Sequence, residues 1–377
     1  MFSSRFHWDH QTNRLTQLLI AKRRAGESVL DLTESNPTRA GLDYPREILQ
    51  AFDDPRMLLY DPAPSGSNDA RSAVAQYYAA RGNSVDIERI LLTASTSEAY
   101  AYLFKLLADP GDNVLVPRPS YPLFEFLAGS EAVEVRHYPL VYDGVWSIGL
   151  AALEAAVTNR TRAIVLVNPN NPTGSFLKRD ELAALQRLGL PLISDEVFAD
   201  YGFEADPARV ASLVDVRGCL AFSMSGLSKV AGLPQMKLGW VVSNDAAALD
   251  KLEWIADTYL SVSTPVQCAA AKLLTAGESV QQQIRERTAA NLAHVRTALS
   301  GSSLGILHVE GGWYITLRMP RTRTEEEWTL DLLSGHGVLV QPGFFYDFES
   351  EAFLVVSLLT APAVFQEGIA RILEIAP

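Results

Sequence analysis

Apolar positions along the chain fall into two regimes. Between residues 90 and 242, short runs that are apolar throughout recur: Ile90 to Leu92, Val114 to Val116, Ala163 to Val167, Leu192 to Ile193, Leu220 to Phe222 and Trp240 to Val242. Most are separated by amphipathic stretches with apolar residues three or four apart, as in 97–107 and 178–188. An unbroken apolar run suits a strand covered on both faces. Strands alternating with helices predict an α/β fold with a mainly parallel central sheet and helices on both faces. Before this region, the spacing of Leu15, Leu18 and Leu19 predicts a helix over the first 25 residues, stopped by Gly26. Residues 29–60 read as extended or looped, and 70–81 as a helix ending at Gly82. After about residue 280 the pattern changes. A helix is predicted over 280–299, then strand-like segments at 305–309, 313–317, 338–340 and 353–358, and a last helix over 362–373. This second part reads as a smaller α+β unit.

Composition narrows the class. A chain of 377 residues suits roughly two domains. With 44 acidic against 32 basic residues, the net charge is −12, which disfavours nucleic acid as a partner. Two cysteines, Cys219 and Cys268, are too few for a disulfide framework or a four-thiolate zinc site, and no metal is expected. No run of 18 apolar residues occurs, so no membrane partner is expected. The opening residues are too polar for a signal peptide, and a soluble cytoplasmic protein is the expectation.

In a doubly wound sheet, ligands gather at the carboxyl ends of the strands. The polar residues following each run are therefore the candidates. Ser95, Thr96 and Ser97 precede a helix, where free amides and hydroxyls suit either a phosphate or a plain N-cap. Tyr121 stands in a proline-rich loop, either partly buried or stacked on a planar ligand. Asn171 lies in Asn168-Pro169-Asn170-Asn171-Pro172-Thr173-Gly174, dense in turn residues. Asp195 and Glu196 end a run expected to be buried, which is costly for unpaired carboxylates. Lys229 follows Ser225-Gly226-Leu227-Ser228 just past another run; a desolvated lysine there is a nucleophile or base, and an exposed one is an ordinary surface charge.

Singly these signals are weak, but their order is informative. Tyr60, Ser95-Thr96-Ser97, Tyr121, Asn171-Pro172-Thr173-Gly174, Asp195, Ser228-Lys229 and Lys237 together resemble the class I/II aminotransferases of the fold-type-I pyridoxal phosphate superfamily, over nearly the whole chain. The resemblance implies a pyridoxal 5′-phosphate-binding body at 45–280 and a small domain from 1–44 with 281–377. It implies that Lys229 forms the Schiff base and shuttles protons. Asp195 would keep the pyridine nitrogen protonated, and Asn171 would bond the phenolic oxygen. Tyr121 would stack on the ring, and Ser95, Thr96, Ser97 and Lys237 would hold the phosphate. Tyr60 would reach a phosphate across a homodimer interface. The implied reaction is transfer of an amino group from an amino acid to a 2-oxo acid by a ping-pong route. A regulator of the superfamily would carry an extra N-terminal helix-turn-helix domain, and too few residues precede the match for one.

Four departures qualify this. Phe198 stands for the usual Tyr, Gly226 for the usual serine and Lys237 for the usual arginine. Val355 stands about where the family's substrate-carboxylate arginine belongs, and no Lys or Arg occurs between Arg323 and Arg371. Arg39, with Asn36 in the same loop, is the first substitute and Arg318 the second. The alternative is a C–S lyase (β-elimination) or a decarboxylase on the same fold.

Overall fold

The computed structural model describes residues 3–6 and 11–375. An eight-stranded sheet runs in the order Ile90–Thr93, Gly239–Ser243, Ala221–Gly226, Leu192–Asp195, Thr161–Val167, Asn113–Arg118, Glu134–Tyr142 and Trp146–Ile148. The four pairings from Ala221–Gly226 across to Glu134–Tyr142 are parallel. The remaining three are antiparallel. The six apolar runs all became strands. Their side chains alternate between two layers: Leu91, Val165 and Val241 pack among helices Thr96–Leu107 and Ala246–Tyr259, whereas Leu92, Trp240 and Val242 join the opposite core. Both faces are covered, which is why these strands carry no polar alternation.

A second sheet is wholly antiparallel, in the order Gly305–Ile306, Tyr314–Arg318, Phe353–Ser357 and Gln341–Pro342. Ile315, Leu317, Leu354 and Val356 face its own core with helix Pro362–Ile375. Tyr314 and Val355, on alternate positions, face the other way and pack with Phe198 and Trp313. Leu30–Asp31 pairs in parallel with Val338–Leu339, tying the N-terminal segment to the C-terminal one.

Two sequence expectations are corrected. The first helix is Arg14–Arg24, capped by Asn13, whose side chain accepts the Thr16 N–H at 2.8 Å. Ser4–Phe6 forms a separate turn, and part of the expected helix lies outside the described residues. The helix expected to begin at residue 280 begins at Thr264 and runs 35 residues to Ala298. At 1.5 Å per residue it is about 50 Å long, so Leu273 and Val280 serve one core while Leu292 and Val295 serve the other. Gly277 lies inside this helix. It is no breaker: a Cβ there would lie 2.4 Å from Ala231 Cβ, so glycine lets the helix press on the segment after Lys229.

Candidate functional site

Lys229 lies in the short helix Leu227–Val230, immediately past the strand Ala221–Gly226. The Tyr201 hydroxyl donates to its carbonyl at 2.5 Å and anchors the turn. The ammonium nitrogen stands 4.6 Å from the Trp313 ring centre and 5.5 Å from that of Phe198. Phe198, Tyr201 and Trp313 meet edge to face at 5.2–6.5 Å and close a buried aromatic box. Burial lowers the lysine pKa from 10.5 to about 8, opposed by the charge of Asp195. At pH 7.5 roughly a quarter of the amine is then neutral, against about one part in a thousand for a free lysine.

Asp195 ends the adjacent strand, in register with Met224. One carboxylate oxygen accepts the Val197 N–H at 3.2 Å and the other accepts the Tyr100 hydroxyl at 3.2 Å. Burial raises its pKa to about 6, these bonds and Lys229 pulling the other way. It is thus still mostly ionised at neutral pH and aimed by two donors. Glu196 next to it has a structural role. Ser212 Oγ donates to it at 2.6 Å and Leu213 N–H at 2.8 Å, and burial raises its pKa to about 7.

The loop of Asn171 divides its labour. Asn168 accepts Leu177 N–H and donates to the Val210 carbonyl. Asn170 donates to the Pro119 carbonyl and to Thr173, and accepts Ser120 Oγ. Both are turn chemistry. Asn171 differs: it is buried, and its amide oxygen has no partner. A buried amide left unpaired costs about 1–3 kcal/mol, which marks a position meant for something else.

Ser95 caps helix Thr96–Leu107, accepting the Glu98 N–H at 3.3 Å. The Glu98 carboxylate turns back to the Ala94 N–H at 2.7 Å and takes Ser261 Oγ at 2.7 Å. The helix N-terminus is therefore braced while Thr96 and Ser97 remain half-buried at its positive end. Gly239 abuts this turn; a Cβ there would lie 3.0–3.1 Å from Ser95 C, Thr93 Oγ1 and Thr96 N. Lys237, two residues earlier, is exposed and left-handed at φ 54°. Gly226, where the family has serine, has no room for a side chain: a Cβ would meet the Leu238 carbonyl oxygen at 2.9 Å.

Other candidates stand further out. Tyr121 is half exposed. Tyr60 is 78% exposed on a surface with Leu58 and Leu59. Asn36 spends its side-chain oxygen on the amide and hydroxyl of Thr38, and Arg39 is exposed on that turn. Arg318, also exposed, stacks over Tyr142 at 5.7 Å. Val355 is fully buried within the aromatic cluster, so no cation occupies that position. Tyr100, Trp313 and Gly239 were not singled out from the sequence; each acts through a neighbour on a distant segment.

The family model for aminotransferase class I and II matches residues 27–372. Mouse tyrosine aminotransferase is 31% identical over 237 residues, 59% of this chain; the chain spans about half (51%) of that relative's length. The Arabidopsis thaliana S-alkyl-thiohydroximate lyase SUR1 is 34% identical over 195 residues, 49% of this chain and 41% of the lyase. Among solved structures, N-succinyldiaminopimelate aminotransferase from Mycobacterium tuberculosis superposes with a TM-score of 0.85 at 25% identity, covering 100% of both chains.

Proposed function

Because the chain belongs to the aminotransferase class I and II family, we propose that it is a pyridoxal-phosphate-dependent aminotransferase acting on an amino acid and a 2-oxo acid. The observation that carries the reading is Lys229, a partly buried amine of lowered pKa in an aromatic box beside the ionised Asp195. The residues fit the cofactor. Asn171 presents a buried side-chain amide whose oxygen has no partner, and the start of helix Thr96–Leu107 is a cradle that a Cβ at Gly239 would fill.

Bound there, the cofactor would supply an electron sink for the substrate's α-carbon. This chain's own residues do the rest. Ser95, Thr96, Ser97 and Lys237 would hold the phosphate, and Tyr121 would cover the ring. Asp195, oriented by Tyr100, would meet the ring nitrogen and favour its proton. Asn171 would donate from its amide nitrogen to the phenolic oxygen. Lys229 would supply the neutral amine and the base that takes up and returns a proton at Nζ. The aromatic box excludes water from that nitrogen.

Val355 shapes the substrate reading. An apolar wall stands where the family's α-carboxylate arginine is expected, so another base takes that carboxylate or the substrate lacks an ordinary one; with no second arginine identified for an acidic side chain, we assign donors whose side chains are neutral or aromatic. The same wall favours a second reading, elimination at a C–S bond, and the lyase relative supports keeping it. The two-body division at 45–280 and 1–44 with 281–377 belongs to this proposal, supported by the pairing of Leu30–Asp31 with Val338–Leu339. So does a homodimer: Leu58, Leu59, Tyr60 and Trp254 are 66–89% exposed, an apolar surface that suits a second copy. A cytoplasmic location is part of the reading too, supported by two free cysteines and, among the described residues, no helix long and apolar enough to cross a membrane.

The test is spectroscopic. Purified protein with added pyridoxal phosphate should show a visible absorption band that Lys229→Ala lacks. An amino donor should then convert the band to the near-ultraviolet form, without release of pyruvate and ammonia. Release of both without an oxo acid would establish the lyase reading, and absence of the band in the wild type would sink both.

A further inference from the structure

Trp313 reaches Lys229 from a different sheet, and something must hold it there. It ends a four-residue strap, Glu310-Gly311-Gly312-Trp313, that crosses from the four-stranded sheet to the turn around Asn171. The strap is tied down at each residue. Glu310 N–H donates to the Gly174 carbonyl at 3.2 Å, and its own carbonyl accepts the Phe203 N–H at 2.9 Å. Gly312 N–H donates to the Tyr201 carbonyl at 2.9 Å, and the Trp313 carbonyl accepts the Leu358 N–H at 2.7 Å. Gly311 lies so close to the chain beneath it that a Cβ would meet the Tyr201 carbonyl oxygen at 2.6 Å.

The Glu310 side chain anchors the far end. It is nearly buried, and its carboxylate lies 2.7 and 2.8 Å from Lys178 Nζ and 3.3 Å from Arg209 Nε. It also accepts the Phe176 N–H at 3.0 Å. Asp206 completes the cluster at 3.1 Å from Lys178, so two cations face two carboxylates. The Arg209 guanidinium lies over the Phe176 ring at 4.7 Å. A carboxylate desolvated to this degree is stable only while its cations stay in place.

We propose that Glu310 is a positioning residue for Lys229: locked by Lys178 and Arg209, it docks the strap on the Asn170–Gly174 turn and so sets the Trp313 ring against the lysine nitrogen. This deepens the aminotransferase reading, since it concerns the amine on which that reading rests. An indole face near an ammonium favours the charged form. The charged group facing Lys229 is Asp195, the Tyr201 hydroxyl binds the lysine carbonyl, and both remain in every variant below.

The test uses the cofactor-free full chain, so it stands apart from cofactor binding. The rate at which Lys229 reacts with an amine-modifying reagent is followed against pH, with the site resolved by mass spectrometry. Trp313→Leu, which keeps apolar bulk and loses the π face, should move the midpoint down by about one pH unit. Glu310→Gln keeps the shape and loses the charge; it should shift the midpoint in the same direction by a smaller amount. Lys178→Met breaks the lock from the opposite side and should reproduce the Glu310→Gln shift. Near-ultraviolet circular dichroism confirms that each variant is folded. An unmoved midpoint in Trp313→Leu overturns the proposal. So does a moved one in Trp313→Leu with wild-type midpoints in both Glu310→Gln and Lys178→Met.

Discussion

Gly239→Ala tests whether the first turn of helix Thr96–Leu107 is a phosphate site. Gly239 pairs directly with Thr93 across two antiparallel strands, and the chain then turns through Ser95 into the helix. The new methyl would lie 3.0–3.1 Å from three atoms of this turn, two of them backbone. Ordinary carbon contacts are about 3.5–4.0 Å, so the turn must retreat by about half an ångström. Overpacking of this kind costs about 1–3 kcal/mol of stability. The larger effect is on the ligand. Charge-assisted bonds from amides at a helix N-terminus contribute about 1.5–3 kcal/mol, and shifting two of them by half an ångström should forfeit about 2 kcal/mol, or roughly 30-fold in affinity. The assay compares pyridoxal phosphate with pyridoxal, by equilibrium titration of the visible band. The mutant should bind the phosphate ester roughly 30-fold more weakly and bind pyridoxal as the wild type does. Equal losses for both ligands would refute the reasoning, because the turn would then serve the ring or the fold and not the phosphate.

Other perturbations read other parts of the molecule. Glu196 has a pKa raised from 4.5 to about 7, so the folded state favours its protonated form; the associated stability is present below pH 4.5 and is lost as pH rises through 7. The loss is at most about 3 kcal/mol, and Glu196→Gln should flatten denaturation midpoints between pH 5 and 8. Val355→Arg places an unpaired charge in a fully buried cluster and should lower stability by several kcal/mol, read as a fall in Tm; an unchanged Tm would show that the position is open to solvent. Leu59→Asp, with Trp254→Asp, should turn a dimer into a monomer in sedimentation velocity if their exposed surface is the interface.

What could be read from the chain follows from how far each residue's environment extends along it. The central strands were legible because burial on both faces leaves an apolar run that needs no context. The strand Glu134–Tyr142 and the edge strand beside it, Trp146–Ile148, were missed, since partial exposure mixes polar residues into them. Lys229 and Asp195 were legible because the carboxyl end of a buried strand is itself a site signal. Glu310 meets Lys178 from 132 positions away, and no local pattern announces that. Tyr100 meets Asp195 in the same manner, across 95 positions.

Gly226 shows how position alone misleads. By resemblance it was a serine lost from the phosphate's surroundings. In the structure Gly226 pairs with Gly239, and a Cβ at 226 would press on Leu238 O at 2.9 Å and on Gly239 Cα at 3.0 Å. Gly239 in turn lies so close to the helix turn that a Cβ on it would meet Ser95 C at 3.0 Å. The two glycines thus form one close-packed stack, from the lysine strand through its neighbour to the phosphate cradle. Serine at 226 alone would push Gly239 into that cradle before its hydroxyl could reach a ligand. Gly226→Ser should therefore weaken pyridoxal phosphate binding rather than strengthen it, in the same direction as Gly239→Ala; tighter binding by this variant would show that the contact was merely lost and that the stack is not the reason for glycine.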